Sequence, residues 1–244
     1  MDRVDRDQIR QVIEQVLARG GGWSTSEETA VLLAAAGIKS AAGRTVTNVD
    51  AAVQAAAAIG YPVALKALGP TLLHKTERRA VCLNVGDAAG VRTAYADFSE
   101  RLGGDMVAVL VQRMVPRGVE MIVGAVQNPL FGPLVACGTG GVLVDVLADT
   151  AFRLHPLSVS DARDMVGELR GARLLRGYRG APPADEAALC DLVLRVSALV
   201  ATAPEIQELD LNPVMVLDSG VCVADARLRV EAGAPPRQAR RVAY

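Results

Sequence analysis

Apolar residues at Ile9, Val12, Ile13, Val16 and Leu17 repeat on one face of a 3.6-residue period, which predicts an amphipathic helix over residues 5–19. Gly20, Gly21 and Gly22 end it. Ser24 with Glu27 forms a capping-box pattern and predicts a second helix through Ala36, with Gly37 as the left-handed residue beyond it. Asn48 caps a third, alanine-rich helix that stops at Gly60. Strand-like runs follow at Pro62–Leu68, Val81–Val85 and Met106–Val115, with a helical stretch over 87–102. Val119–Val126 and Leu134–Cys137 read as further strands, the second entering the turn Gly138-Thr139-Gly140-Gly141. Helices at about 158–170 and 185–202 precede three short strands, Ile206–Leu209, Val214–Leu217 and Val221–Asp225. Asp218-Ser219-Gly220 joins the last two as a hairpin, and the Pro- and Arg-rich end beyond about 231 reads as a fraying tail. The order is mixed α+β with several hairpins, not a strict βαβ alternation, and shows no internal repeat.

Composition narrows the function. At 51% apolar and 22% charged over 244 residues, the chain buries a core as one large domain or two lobes. A net charge of -1 and 3% aromatics supply neither the field nor the stacking surface of a nucleic-acid binder. No apolar run approaches the roughly 18 residues of a membrane span, and the charged N-terminus has no signal-peptide core, so a cytoplasmic location is expected. The four cysteines, at 82, 137, 190 and 222, make no C-x-x-C pair and read as buried reduced thiols. Of the 26 basic residues only Lys39, Lys66 and Lys75 are lysines, and only His74 and His155 are histidines. Lys66, His74 and Lys75 fall within ten residues, a concentration that suits an anion site.

Lys66 lies among Val63, Ala64, Leu65 and Ala67, where it can present one ammonium to a phosphate or, on an edge strand, reach solvent. His74 can accept a phosphoryl group, act as a base or sit exposed in a loop. The glycine turn 138–141 matches neither the dinucleotide nor the P-loop fingerprint, and serves equally as an anion cradle or a tight turn. Strand alternation puts Glu208, Asp210 and Asn212 on one face, with Asp225 thirteen residues later able to reach the same end. Such oxygen ligands suit Mg²⁺ or the orientation of a histidine, or form the outer face of an exposed hairpin. Glu120 stands alone among apolar neighbours, facing either solvent or a ribose; Arg113 and Arg117 read as surface charges, and His155 as structural.

In order, these pieces resemble the ATP-grasp module of the ADP-forming acyl-CoA synthetases (acetate–CoA ligases) over about residues 24–230. The stretches that carry the resemblance are Gly60–Lys66, Leu73–Glu77, Gly118–Gly124, Phe131–Val142, Phe152–Ser158, Gly177–Gly180 and Glu208–Pro213. It implies an α+β, ATP-grasp fold of two α/β lobes with nucleotide between them. On that reading residues 1–23 are a helical extension, 24–111 the small lobe, 112–231 the C-terminal lobe and 232–244 a flexible tail. Lys66 is then the phosphate-contacting strand lysine, Lys75, next to His74, is a further nucleotide-binding residue, and Gln112, Arg113, Met114 and Val115 form the adenine hinge. Glu120 lies near the ribose, and Asn212 and Asp225 hold Mg²⁺. His74 is the relaying histidine that passes a phosphoryl group to ADP, oriented by Asp210.

The resemblance also implies ATP/ADP and Mg²⁺ as nucleotide and cofactor, and acyl-CoA or a small carboxylate as substrate. It implies a CoA-binding α subunit as partner, because no CoA-binding domain or first phosphohistidine is recognised in the chain. Two departures stand out: Arg79-Ala80 where the family usually has two glycines, and Asp145 where it commonly has glutamate. They leave two other readings in play, a regulatory ATP-binding module without turnover and a stand-alone carboxylate ligase.

Overall fold

The computed structural model describes residues 4–70, 72, 79–141 and 149–232. The first two helices follow from their caps. Asp5 accepts from the Gln8 N–H at the start of α1 (Arg6–Ala18). Thr25 and Glu28 make the reciprocal capping box of α2 (Ser26–Ala35). That box lies one residue beyond the predicted Ser24/Glu27 pair. The Ser24 N–H is already committed to the Leu228 carbonyl at 2.9 Å, so the chain is still extended there and the helix starts later.

The end of α2 is a Schellman motif: Ile38 N–H donates to Leu33 O at 2.7 Å and Gly37 N–H to Ala34 O at 2.9 Å. Gly37 has φ +72, and a Cβ built on it would lie 2.1 Å from Arg195 Nη1. Gly37→Ala is expected to destabilise the protein by about 1–2 kcal/mol, read as a fall of roughly 2–4 °C in Tm per kcal/mol.

Residues 1–39 and 118–244 make one compact unit and 40–117 the other. The larger unit holds an antiparallel seven-stranded sheet in the order β1 (Gly22–Trp23), β11 (Ala226–Val230), β9 (Ile206–Val216), β6 (Val119–Asn128), β7 (Gly132–Thr139) and β8 (Thr150–Leu154). β10 (Val221–Val223) pairs with the far end of β9. Helices α1, α2, α5 (Val159–Glu168), α6 (Ala172–Leu175) and α7 (Glu186–Thr202) bury their apolar stripes with one face of this sheet. Ile9, Ile13, Leu32, Met121, Leu189, Leu211 and Leu228 are all buried in that one core. The first two helices thus belong with the larger sheet, whereas the sequence divided 1–23 from 24–111. Amphipathic periodicity shows that a face is buried, not which sheet buries it.

The second difference lies in β9, predicted as two strands broken at Asn212-Pro213 and observed as one of eleven residues. Its edge partner changes at that point, from β11 up to Leu211 to β10 from Val214. Between them Asn212 N–H donates to Asp225 O at 3.0 Å, and Pro213 O accepts from Ala224 N–H at 2.9 Å. Against β6, three residue steps on β9 (Leu211 to Val214) span two on β6 (Met121 to Val123). The proline, which has no N–H to give a ladder, therefore occupies a bulge.

The smaller unit is a four-stranded antiparallel sheet, β2 (Gly43–Val46), β5 (Ala108–Arg113), β3 (Val63–Leu68) and β4 (Val81–Val85) in that order. Helices α3 (Val49–Ile59) and α4 (Ala88–Leu102) share its core, in which Ala52, Ala56, Val63, Leu65, Val91, Phe98, Val109 and Val111 are buried. Asn48 caps α3 through the Ala51 N–H and Gly60 ends it at φ +91, as the sequence predicts. The small alanine face of α3 allows the helix to lie close to its neighbours.

Candidate functional site

In the smaller unit, β3 is an interior strand, with Lys66 opposite Leu110 of β5 and Val81 of β4. Lys66 is buried, at 6% exposure, so the solvent-reaching edge lysine is ruled out. A lysine is kept inside only where its ammonium meets partners of opposite polarity.

At the end of β5 the candidate hinge divides by chemistry. The Gln112 amide donates to Ala41 O at 3.1 Å, and the exposed Arg113 guanidinium donates to Ile59 O at 3.0 Å. Backbone N–H groups of Arg113 and Met114 donate to Ala42 O and Pro62 O. Within this unit, among the described residues, neither the Met114 carbonyl nor the Val115 N–H makes a hydrogen bond. These are the two ends of one trans peptide group and point to opposite sides, so either one, but not both together, can meet the edge of an adenine base.

Where the chain departs from the usual two glycines, Arg79 stands at φ +49 and Ala80 is fully buried. The left-handed backbone that glycine takes freely is thus retained by an arginine, whose carbonyl accepts from Arg101 Nη2 at 2.9 Å. His74, Lys75 and Asp145 lie outside the described residues.

In the larger unit, β9 buries Leu209 and Leu211 and turns Glu208, Asp210 and Asn212 to the opposite face, as alternation predicts. Asp210 pairs across the sheet with Arg227 on one side and Gly124 on the other. Burial pushes its carboxyl above the ordinary carboxylate range; the Arg227 charge opposes this, and Asp225 and Glu208 reinforce it. Asp210, Gly124, Ala136 and Glu208 line a shallow groove, whose floor is open because Gly124 and Ala136 carry little or no side chain.

Asp225 is tied to this corner through the Asn212 N–H. Among the described residues no three His, Cys, Asp or Glu side chains gather into a metal cage. Asn212 and Asp225 offer one amide and one carboxylate oxygen. That donor set fits Mg²⁺, which takes one or two protein oxygens and completes its shell with water and phosphate.

Glu120, exposed at the start of β6, is held by the glycine turn. Gly140 N–H donates to the Glu120 carbonyl at 2.8 Å. A Cβ on Gly140 would lie 2.8 Å from that carbonyl group, and one on Gly141, at φ +65, 2.8 Å from Glu120 Oε2. The turn left open between anion cradle and tight turn is therefore packed on Glu120.

Two residues of this unit escaped the sequence reading. Arg227 lies in β11, whose apolar–basic alternation Ala226-Arg227-Leu228-Arg229-Val230 signals a strand that the reading stopped short of. Asp149 is a buried acid accepting from the Thr139 hydroxyl and from the Arg170 and Gly171 N–H groups, both at 2.9 Å. His155 is structural as expected, its Nδ1 2.7 Å from Ser197 Oγ. All four cysteines are free thiols, Cys137 pushed up to about 12 by burial. Among the described residues no helix is long and apolar enough to cross a membrane.

The chain is 43% identical to Acetate--CoA ligase [ADP-forming] I of Archaeoglobus fulgidus over 230 residues, 92% of this chain and 33% of that enzyme. It therefore spans about a third of that relative's length. It is 33% identical to the Acetate--CoA ligase [ADP-forming] I subunit beta of Pyrococcus furiosus, covering 93% of this chain and 99% of that subunit. Its fold superposes on acetyl-coenzyme A synthetase 1 of Ca. Korarchaeum cryptofilum with coenzyme A and Ca-AMPCP, with a TM-score of 0.86, 33% identity and coverage of 91% of this chain and 99% of that one. The same enzyme with Mg-AMPPCP, its phosphohistidine segment pointing towards the nucleotide binding site, gives 0.80 at 34% identity, covering 91% and 100%. A family model for the ATP-grasp domain matches residues 15–230, and with these relatives it establishes that the chain belongs to the ATP-grasp family.

Proposed function

We propose that this chain is the nucleotide-binding subunit of an ADP-forming acyl-CoA synthetase, which interconverts acyl-CoA, ADP and phosphate with carboxylate, ATP and CoA. The observation that carries the proposal is Asp210, a half-buried carboxylate kept beside Asp225 and Glu208 at a cost in its own ionisation. A fold retains such an acid where chemistry uses it.

Each residue then has a task. Backbone groups of the Met114–Val115 hinge meet the adenine edge, and Glu120 meets the ribose. Gln112 and Arg113 hold the hinge in place through Ala41 and Ile59. Lys66 and Lys75 set positive charge against the nucleotide phosphates. Asn212 and Asp225 would hold Mg²⁺, which when bound neutralises phosphate charge. His74 accepts a phosphoryl group on one ring nitrogen from a phosphohistidine of a CoA-binding α subunit. Asp210 accepts a hydrogen bond from the N–H on the other side of the ring, which fixes the tautomer and stabilises the charged ring. The P–N bond then breaks as a terminal ADP oxygen forms the new P–O bond, and the imidazole is returned.

Binding and turnover separate this reading from its rivals. Mg-ADP is expected to bind the chain alone, and Lys66→Met to weaken it roughly 10- to 100-fold, the worth of one charge-assisted hydrogen bond. Calorimetry checks this. ATP formation is expected only when a CoA-binding α subunit is added. Binding without ATP formation in that mixture would favour the regulatory module, and carboxylate phosphorylation by the chain alone the stand-alone ligase.

A further inference from the structure

The buried acid Asp149 has no task in the scheme above, yet its surroundings are built around it. Both the hydroxyl and the N–H of Thr139 donate to it, the hydroxyl to its carboxylate and the N–H to its carbonyl at 3.0 Å. Its carboxylate also accepts from the Arg170 and Gly171 N–H groups. Gly171 must be glycine, because a Cβ there would lie 2.5 Å from Thr139 Cγ2. Burial by itself would raise the Asp149 pKa; these donors lower it below the ordinary value, so the group is a fixed anion.

The clasp is one residue from the contact that matters. Thr139 ends β7, and the next residue, Gly140, donates to the Glu120 carbonyl, with Gly141 under the Glu120 carboxylate. A displacement of Thr139 is therefore passed directly to the only side chain of this unit assigned to the ribose.

We infer that Asp149 is a positioning residue of the nucleotide site, clamping Thr139 so that the Gly140-Gly141 turn aims the Glu120 carboxylate at the ribose hydroxyls. The inference rests on the ribose reading of Glu120 and adds to it the device that sets sugar recognition.

The test compares ADP with 2′,3′-dideoxyadenosine 5′-diphosphate, each with Mg²⁺, by calorimetry on the full chain. The wild type is expected to prefer ADP by roughly 10-fold or more, because a carboxylate loses its ribose donors in the dideoxy compound. Asp149→Asn places an amide N–H₂ among groups that are all donors. It is expected to bring the ratio to within about 2-fold by weakening ADP alone. In turnover with the α subunit, KM for ADP rises about 10-fold and kcat stays within about 2-fold. A purely structural role would weaken both nucleotides together. Thr139→Val removes the hydroxyl donor of the clasp and leaves Asp149, Gly140, Gly141 and Glu120 in place, so it is expected to collapse the ratio as well, and it decides the matter should Asp149→Asn not fold. A wild-type ratio of 10 or more retained by the variants overturns the positioning role alone. A wild-type ratio near one overturns the ribose reading of Glu120 and this inference with it.

Discussion

Replacing His74 with alanine is expected to lower ATP formation from acyl-CoA, phosphate and Mg-ADP by roughly 10⁴-fold or more, the scale on which enzymes lose turnover when a covalent nucleophile is removed. Mg-ADP should bind the variant within a few-fold of the wild type, because the adenine, ribose and phosphate contacts assigned to Met114, Val115, Glu120 and Lys66 do not involve the imidazole. The physical argument is the reaction's own arithmetic. Phosphoryl transfer needs little covalent chemistry from the protein beyond positioning and charge, so an acceptor that must carry the group cannot be replaced by either. The measurement is an end-point ATP assay with the α subunit present, alongside capture of the phosphorylated chain. His155→Gln is the matched control. Its ring is engaged with Ser197 and has no part in the transfer, so turnover should be unchanged. Full ATP formation by the His74 variant would sink the relay.

How far this could be read from the chain depends on the kind of information each residue carries. Residues that act through local pattern were legible. Asp210 and Asn212 share a face because strand alternation puts them there, Lys66 is singled out by its scarcity, and the cap at Asn48 and the stop at Gly37 are set within four residues. Long-range pairing was not. The Asn212-Pro213 pair reads as a strand end, since only the switch of partners from β11 to β10 explains how a proline continues the strand. Arg227 and Asp149 matter through neighbours 17 and 10 residues away in sequence, reached by register in one case and by a clasp in the other. The glycine turn illustrates the same limit from the other direction. Its composition announces close approach without saying to what, and the answer, the backbone and carboxylate of Glu120, lies twenty residues earlier.

Asp210→Asn is expected to move activity and stability in opposite directions, lowering ATP formation about 10- to 100-fold while raising Tm. The activity loss follows from the tautomer. In the proposed relay the carboxylate accepts a hydrogen bond from the His74 ring N–H and stabilises the phosphorylated ring, whereas an amide can present a donor to the same nitrogen and carries no charge. The stability gain follows from the raised pKa. A carboxyl whose folded value lies above its unfolded one favours the folded state below the ordinary carboxylate range, and that contribution is lost as the pH rises through the raised value. At neutral pH the ionised Asp210 is therefore a burden on the sheet, desolvated and repelled by Asp225 and Glu208, with Arg227 only partly compensating. Removing the charge relieves it by about 1 kcal/mol after allowance for solvent screening, or roughly 2–4 °C in a chain of this length. The pH dependence carries the sign: the difference in Tm between variant and wild type should be largest at neutral pH, shrink as the pH falls through the raised value, and vanish only well below the ordinary aspartate value of about 3.9, where the wild-type carboxyl is protonated in both states. A variant that loses stability along with turnover would mean that Asp210 is held for the fold through Arg227, and one that keeps full turnover would remove it from the relay.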